Sequence, residues 1–387
     1  MNAVKILINI SYQKYRYYKH RLQLTVVIEL SCKVNKILLT IKNRYQELKL
    51  VFYNTAHHLD SLIDSKNSDS NNNIKNECPA SSLKVLGQPL ILRNINMAMK
   101  KLNFDKVLIP SGLQNALRIV QEAFPHIGVE EFSDEKDGRC YSNNINNDNT
   151  ESSIIASSQL PLYSKVIIGG TCEDFEIPLN ACLHYSESIE GLFMESIVYP
   201  WDFLNLVQKV LHEEVTQNII SPKASIAKSS IIEGPCIIED DVNIDDFCKI
   251  KGPIYIGKGS FVGMSSLIRN CMFGNETRIG FNCEIGKSYF AGHDKISHQN
   301  VILDSIIGEN VWFGGYSGTA NVLLTQGNIR YEISKGNLID SGTNHFGAVV
   351  GNNSVIGASV IILPGRQVPH STMIQAGTIF GAKQYHQ

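Results

Sequence analysis

The chain has 387 residues, of which 43% are hydrophobic and 19% are charged, and its formal net charge is −2. This balance excludes a wholly disordered chain and a strongly basic nucleic-acid-binding protein, and the length predicts two or three domains. No apolar run approaches the ~20 residues that cross a bilayer, so we expect no membrane span and no membrane partner.

Residues 1–48 are predicted to form a basic N-terminal extension, since residues 1–50 contain ten Lys or Arg against two Glu. The cluster Tyr12–Arg21 interleaves aromatic and basic side chains, which fits a nucleic-acid patch, a solvated helix face or a poorly ordered extension. We favour the last two and expect no nucleic-acid partner. The start lacks an apolar stretch followed by a small-residue cleavage site, which argues against secretion.

The nine cysteines are widely spaced and contain no CxxC pair. This pattern indicates neither a zinc cage nor a disulfide framework. We therefore expect reduced thiols and a cytoplasmic protein.

Residues 49–217 show α/β patterning. The polar inserts Ser65–Glu77 and Ser142–Ser153 contain little apolar surface to bury and are predicted to be surface loops. Apolar residues at helical spacing and β-rich runs predict the remaining elements. These are a helix over Ile91–Leu102, a strand over Val107–Ile109, a helix over Leu113–Phe124, a strand over Lys165–Gly169 and a helix over Asp202–Glu213 after Pro200.

Residues 218–387 carry a six-residue repeat of aliphatic side chains, often preceded two positions earlier by a small residue and followed by glycine. This pattern is typical of a parallel β-helix, in which three units close one coil around an aliphatic stack. The alternative, an antiparallel sandwich, would show period-two alternation. The repeat comprises Ile226, Ile232, Ile238, Ile244, Ile250, Ile256, Val262 and Ile268, then Ile279, Ile285, Ile307 and Phe313, then Val350, Ile356, Ile362, Val368 and Ile374.

The six-residue frame breaks at Ser288–Ser297 and at Asn321–Phe346. Both segments are predicted to be loops that leave the coil. Loops on a rigid scaffold often carry binding and catalytic residues.

Three stretches carry a resemblance to a known family: Ile296–Gly308 (ISHQNVILDSIIG), Gly314–Asn321 (GGYSGTAN) and Phe346–Gly365 (FGAVVGNNSVIGASVIILPG). They resemble the left-handed β-helix of the bifunctional sugar-1-phosphate nucleotidylyltransferase/N-acetyltransferases typified by glucosamine-1-phosphate acetyltransferase. Tyr199–Asp202 (YPWD) and Gly87–Ile91 (GQPLI) resemble parts of the family's nucleotidylyltransferase half.

The resemblance implies an acetyl-CoA-dependent N-acetyltransferase with His298 as general base. An imidazole can accept a proton from an attacking amine near neutral pH. Asn321 matches a position that helps to hold the thioester or the amino sugar, and Thr319 and Ala320 belong to the same cofactor-binding segment. The alternatives are that His298 caps a turn and that Asn321 bonds its own backbone in a turn.

Several positions depart from the family's phosphate-binding pattern. Gly286 stands where a lysine is common, with Lys287 beside it, and His345 stands where another lysine is expected. We therefore name Lys287, His345 and Asn321 as substrate-binding residues, with Lys295 and Lys335 as further possible cations. The alternative for Lys287, Lys295, Lys335 and His345 is that each is an ordinary solvated side chain. Val301 and Trp312 replace the usual tyrosine and asparagine.

The first half departs further, because no glycine precedes Gly87. A nucleotidylyltransferase cradles triphosphate on an N-terminal glycine-rich loop, so we predict a degenerate nucleotidylyltransferase-like domain. Mg²⁺ is implied only if that domain is active. Asp105, Glu173 and Asp174 lie near predicted strand ends, but they do not identify a metal site.

The sequence thus predicts an α/β domain followed by an all-β left-handed parallel β-helix, and an acetyltransferase acting on an amino-sugar 1-phosphate. We expect a homotrimer, since the resemblance places the acyl-CoA cleft between neighbouring coils. Two alternatives stay open: a non-catalytic trimeric assembly protein, and an atypical sugar-1-phosphate nucleotidylyltransferase.

Overall fold

The computed structural model describes residues 5–13, 21–29, 37–40, 49–53, 83–100, 106–110, 113–132, 160–162, 175–178, 181–186, 191–334 and 337–381. The chain divides into two units, Met1–Glu47 and Leu48–Gln387. The predicted loops Ser65–Glu77 and Ser142–Ser153, the predicted strand Lys165–Gly169, and Lys335 all lie outside the described residues. Among the described residues, no helix is both long enough and apolar enough to span a membrane.

The first unit contains a three-stranded antiparallel sheet, formed by Lys5–Gln13, Arg21–Glu29 and Ile37–Thr40. The cluster Tyr12–Arg21 spans the end of the first strand and the start of the second. At its described ends the cluster is therefore strand, and the interpretation as a helix face is wrong there.

The second unit begins with an α/β region. A four-stranded parallel sheet has the order Phe175–Pro178, Lys49–Tyr53, Lys106–Pro110 and Gly128–Phe132. The described helices are α1 (Leu90–Met99), α2 (Gln114–Ala123) and α3 (Pro200–Glu214), in agreement with the three helices predicted from apolar spacing. Antiparallel pairs complete the region: Leu160–Leu162, Ala181–Ser186 and Gly191–Ser196 form one sheet, and Lys84–Val85 pairs with Gln88–Pro89.

The predicted parallel β-solenoid is confirmed. In the described part of residues 219–381, three eight-stranded parallel sheets form its faces. Face 1 comprises Ile219–Ile220, Cys236–Ile238, Ile254–Ile256, Met272–Phe273, Tyr289–Phe290, Ile306–Ile307, Ala348–Val350 and Arg366–Val368. Face 2 comprises Ser225–Ile226, Asn243–Ile244, Phe261–Val262, Arg278–Ile279, Lys295–Ile296, Trp312–Phe313, Val355–Ile356 and Met373–Ile374. Face 3 comprises Ile231–Glu233, Lys249–Lys251, Leu267–Arg269, Glu284–Gly286, Val301–Leu303, Gly318–Thr319, Ile361–Ile362 and Ile379–Phe380.

The aliphatic repeat forms the core of the solenoid, as predicted. One buried cluster runs from Cys236 to Ile374 and contains both the repeat residues and the small residues two positions before them. Each corner between faces is a turn, which we name by the faces it joins: corner 1–2, corner 2–3 and corner 3–1. Outward side chains on one face therefore stack in columns, about 4.8 Å apart from coil to coil.

The segment Ser288–Ser297 was predicted to leave the coil, and this prediction is wrong. Ile250 pairs with Ile268 eighteen residues later, but Ile268 pairs with Ile285 only seventeen residues later. Three successive coils are thus one residue shorter, and the missing residue falls at corner 3–1. The strands Tyr289–Phe290 and Lys295–Ile296 continue the ladder without interruption.

The second break does correspond to a loop. The chain leaves the solenoid after Gly318–Thr319 and returns at Ala348–Val350, and between them Arg330–Ser334 and Asn337–Asp340 form an antiparallel hairpin. The loop closes at its base, where Phe346 N donates to Asn321 O at 3.0 Å.

Helix α3 covers face 1 of the solenoid. Pro200 occupies its first turn. Asp202 Oδ2 accepts hydrogen bonds from Tyr199 N at 2.9 Å and Val198 N at 3.1 Å, and this cap marks the start of the helix. The ring of Phe203 packs edge-on against Tyr289, with centroids 4.8 Å apart. Because α3 and the strands of face 1 share one buried cluster, the α/β region and the solenoid form a continuous core.

The five described cysteines are all buried: Cys182, Cys236, Cys248, Cys271 and Cys283. Burial raises the pKa of the Cys271 thiol to about 12. A thiol held in its protonated form inside the core is a packing residue rather than a nucleophile.

Asp294 takes one of the small-residue positions at corner 1–2, with no exposed surface. Its Oδ1 accepts a hydrogen bond from Val311 N at 2.9 Å, and its Oδ2 accepts one from Gly292 N at 3.2 Å. Burial raises the pKa of this carboxyl well above its usual range, and the two N–H donors oppose that shift only in part.

This buried carboxyl predicts a pH dependence of stability. Above the unfolded pKa, about 3.9 for an aspartate, the unfolded chain has released the proton that folded Asp294 still holds. The free energy of unfolding therefore falls as the pH rises from there through the raised folded pKa. We expect wild type to lose stability over this window relative to Asp294→Asn, measured as thermal midpoints across the pH range. Parallel curves for the two proteins would contradict the prediction.

Candidate functional site

His298 lies at corner 2–3, in the turn between Lys295–Ile296 and Val301–Leu303, and its side chain is exposed. The turn is fixed by its own backbone and by Asn300, whose Nδ2 donates to His298 O at 3.2 Å and to Ser297 O at 2.9 Å. Gln299 adopts a positive φ of 57°, which closes the turn. Asn300, rather than the imidazole, bonds the turn's carbonyl groups, so turn capping does not account for the histidine.

The corner residues of successive coils stack above and below His298. Gln299 N donates to Phe281 O at 2.8 Å, and Tyr316 N donates to His298 O at 3.0 Å, so Phe281 lies one coil below the histidine and Gly315 one coil above. A Cβ placed on Gly315 would meet only His298 O, at 3.5 Å. The position that a side chain would occupy at Gly315, one coil above His298, is therefore open.

Apolar side chains surround this corner. On face 2, Trp312 is 53% exposed, and its indole Nε1 donates to Ser297 Oγ at 3.3 Å. On face 3, Val301 is 44% exposed, and Phe281 is also 44% exposed at the corner itself. The two residues that depart from the family pattern, Val301 and Trp312, thus stand on either side of the predicted base.

Asn321 lies at corner 3–1, where the long loop leaves the solenoid. Its Nδ2 donates to Asp304 Oδ2 at 2.6 Å. The base of the loop is held by α3, because Trp201 packs edge-on against Phe346, with centroids 6.1 Å apart. The Asn321 amide is therefore oriented by a carboxylate and not by its own backbone.

Two more predicted residues lie at the same corner. Lys287 is exposed in the turn one coil below Asp304, and its backbone N donates to Arg269 O at 2.9 Å. His345 is exposed at the base of the loop, and its Nδ1 lies 2.7 Å from Asn344 Oδ1. The predicted substrate-binding residues Lys287, Asn321 and His345 thus all lie at corner 3–1, with Lys287 two coils below Asn321.

His298 does not belong to that group within one chain. It stands at corner 2–3, whereas they stand at corner 3–1, and the width of face 3, which is Val301–Leu303 in this coil, lies between the two corners. Face 1 is covered by α3, whereas faces 2 and 3, which meet at His298, present exposed apolar side chains such as Trp312, Met373 and Ile361.

Thr319 and Ala320 were predicted to contact the cofactor, and within this chain the Thr319 hydroxyl and the Ala320 N–H are bonded inside the coil. The Thr319 side chain is 3% exposed, and its Oγ1 accepts a hydrogen bond from Leu303 N at 3.2 Å inside the coil. Ala320 N donates to Ile362 O at 2.9 Å. Neither the hydroxyl nor this N–H is available to a ligand, so both residues support the strand that leads to Asn321.

Arg269 fills the space left by the missing lysine. A Cβ on Gly286 would lie 3.2 Å from Arg269 Cζ, so the absence of a side chain there makes room for the guanidinium group. Arg269 also forms an ion pair with Glu284.

Sequence reasoning missed Asp304, Gly315 and Arg269. A frame of seventeen residues, applied to the three shorter coils, would have placed each of them beside a predicted site residue. Among the described residues, no group of three or more His, Cys, Asp or Glu side chains is arranged to hold a metal ion.

Known proteins with similar sequences carry acetyltransferase names. No family profile matches the chain. A bifunctional sugar-1-phosphate nucleotidylyltransferase/acetyltransferase of Sulfurisphaera tokodaii is 32% identical over 192 residues, which cover 49% of this chain and 46% of that protein. An uncharacterized acetyltransferase of Escherichia coli is 28% identical over 174 residues, which cover 44% of this chain and 75% of that protein.

The chain therefore spans about half the length of the bifunctional relative it matches. A solved structure of a perosamine N-acetyltransferase from Caulobacter crescentus, in complex with CoA and GDP-perosamine, is 19% identical. The match covers 28% of this chain and 56% of that chain, with a TM-score of 0.22. The names of the two sequence relatives confirm the resemblance stated from the repeat and its motifs.

Proposed function

We propose that this protein is an acetyl-CoA-dependent N-acetyltransferase acting on an amino-sugar 1-phosphate. The observation that carries the proposal is the exposed imidazole of His298, held at a corner of the solenoid below Gly315, where no side chain stands. The named relatives support acetyl transfer, and the buried free thiols of Cys236, Cys248, Cys271 and Cys283 are compatible with a cytoplasmic protein.

The proposed reaction uses His298 as general base. The amine nitrogen of the acceptor attacks the thioester carbonyl carbon and gives a proton to the imidazole. The new C–N bond forms, the C–S bond breaks, and the proton passes to the departing CoA thiolate. Within the described part of the chain, Gly315 N donates no hydrogen bond in the backbone ladder, so it is free to stabilise the tetrahedral oxyanion above His298.

Asn321, Lys287 and His345 bind the acceptor or the thioester in this proposal, from the opposite edge of face 3. Because His298 stands on another corner, we propose that a homotrimer completes the site, with corner 3–1 of one copy facing corner 2–3 of the next. Exposed apolar side chains on faces 2 and 3 support such packing.

One assay tests the proposal. The purified protein is incubated with acetyl-CoA and a panel of hexosamine 1-phosphates, and the release of CoA thiol is followed. We expect thiol release with at least one acceptor.

The same assay separates the alternatives. Absence of thiol release with every acceptor, from a protein that is trimeric by sedimentation, would favour the assembly protein. Formation of pyrophosphate from a sugar 1-phosphate and a nucleoside triphosphate would favour the nucleotidylyltransferase.

A further inference from the structure

Face 2 of the solenoid carries a column of aromatic and basic side chains that runs past the coil of the candidate base. Phe261 pairs with Arg278, Arg278 with Lys295, and Lys295 with Trp312, in successive coils. Both cations are exposed, and Arg278 Cζ lies 5.0 Å from the centroid of the Phe261 ring. The stacked ring leaves the in-plane N–H groups of the guanidinium free to bind an anion.

The pairing of Arg278 with Lys295 is electrostatically unfavourable by itself, because like charges directly opposite one another destabilise a sheet. In the described part of the chain, neither cation has a carboxylate within ion-pair distance. The nearby carboxylates face other groups: Glu276 and Glu309 lie 3.3 and 3.8 Å from the His293 ring, and Asp241 lies 4.0 Å from Lys258. Asp294, which follows His293, points into the coil.

The two cations line a cleft along corner 1–2. The cleft encloses about 510 Å³. Its other charged or polar lining residues are Lys258, His293, Asn275 and Asn310, together with the carboxylates Asp241 and Glu276. Its volume is sufficient for a phosphorylated monosaccharide. Two adjacent, unpaired cations on the wall of a cleft favour a dianionic group.

We propose that Arg278 and Lys295 form the subsite for the phosphate group of the acetyl acceptor. This inference rests on the proposed function and assigns the phosphate to these two cations instead of to Lys287 and His345 at corner 3–1. Lys295 lies three residues from His298, a path of at most about 10 Å. Trp312, next in the column, is hydrogen-bonded to Ser297 beside the base.

Because Lys295 lies close to His298, the phosphate bound there belongs to the acceptor and not to acetyl-CoA. The phosphates of CoA are joined to the thioester through the whole pantetheine arm, so they lie far from the reacting carbonyl. In a hexosamine 1-phosphate, the amine and the phosphate are on neighbouring carbons. A phosphate close to the base therefore belongs to the small acceptor.

Calorimetric binding tests the subsite without any catalytic turnover. The probes are glucosamine 1-phosphate, glucosamine, UDP-glucosamine and CoA. For the double variant Arg278→Gln with Lys295→Gln, we expect affinity for glucosamine 1-phosphate to fall at least about tenfold, as two charge-assisted hydrogen bonds are lost. The control Lys251→Gln removes an exposed cation from face 3 and should change affinity less than about twofold.

A second measurement guards against a folding defect. Because Arg278 and Lys295 repel each other, the double variant should unfold at the same temperature as wild type or a higher one in low salt. A loss of affinity limited to UDP-glucosamine would support a diphosphate in the same subsite.

Unchanged affinity for both phosphorylated sugars would overturn the proposal, as would wild type that binds neither of them. An equal loss for unphosphorylated glucosamine, or a loss for CoA alone, would overturn it too. The proposed function fails separately: phosphate binding that depends on Arg278 and Lys295, in a protein without thiol release, leaves the subsite standing and refutes acetyl transfer.

Discussion

His298→Ala is expected to lower thiol release from acetyl-CoA by about 10²- to 10⁴-fold, the usual contribution of a positioned general base. The imidazole is an exposed side chain on a turn. Asn300 and the backbone hydrogen bonds to the coils above and below fix that turn. Removing the ring leaves that turn intact, so the variant should fold as wild type does. The rate is followed with a saturating hexosamine 1-phosphate, with circular dichroism as the check on folding.

The matched control is His126→Ala. His126 is exposed between α2 and the strand Gly128–Phe132, on the α/β region, and plays no part in the proposed site. We expect thiol release within about twofold of wild type, as for most surface substitutions. Equal rates for His298→Ala and wild type would remove the imidazole from the mechanism while leaving the acetyltransferase proposal to stand on the other residues.

The sequence was sufficient to propose candidate site residues by motif but not to place them relative to one another. His298 and Asn321 were identified by motif, and both emerge at corners of the solenoid. Motifs specify order along the chain, whereas corner positions depend on how many residues each coil contains. The number of residues in each coil places His298 and Asn321 on opposite sides of face 3. The same number places Thr319 in the core.

The same limit explains what was missed on face 2. Arg278, Lys295 and Trp312 are seventeen residues apart, and only the shortened coil places them in one column. A strict period of six goes out of register after Ile268, so it does not place these three residues on one face. The α/β region shows the converse: its helices were predicted well because apolar spacing is a local property.

Phe290→Ala is expected to lower the free energy of unfolding by about 3–5 kcal/mol, the cost of removing a large aromatic side chain from a core. The strict six-residue frame gave Phe290 no core position, but the shorter coils place it on the inner side of face 1, with no exposed surface. Its ring packs edge-on against Phe273, with centroids 5.0 Å apart. Thermal or urea unfolding measures the change.

Phe247→Ala is the matched control, because it makes the same substitution at a corner residue that is 66% exposed. We expect a change within about 0.5 kcal/mol there, since little apolar surface is buried at that position. Similar losses for the two variants would mean that Phe290 does not face the interior. In that case the seventeen-residue register would be wrong, and with it the column of Arg278, Lys295 and Trp312. The stability of one buried ring therefore tests the frame on which both the position of the base and the phosphate subsite depend.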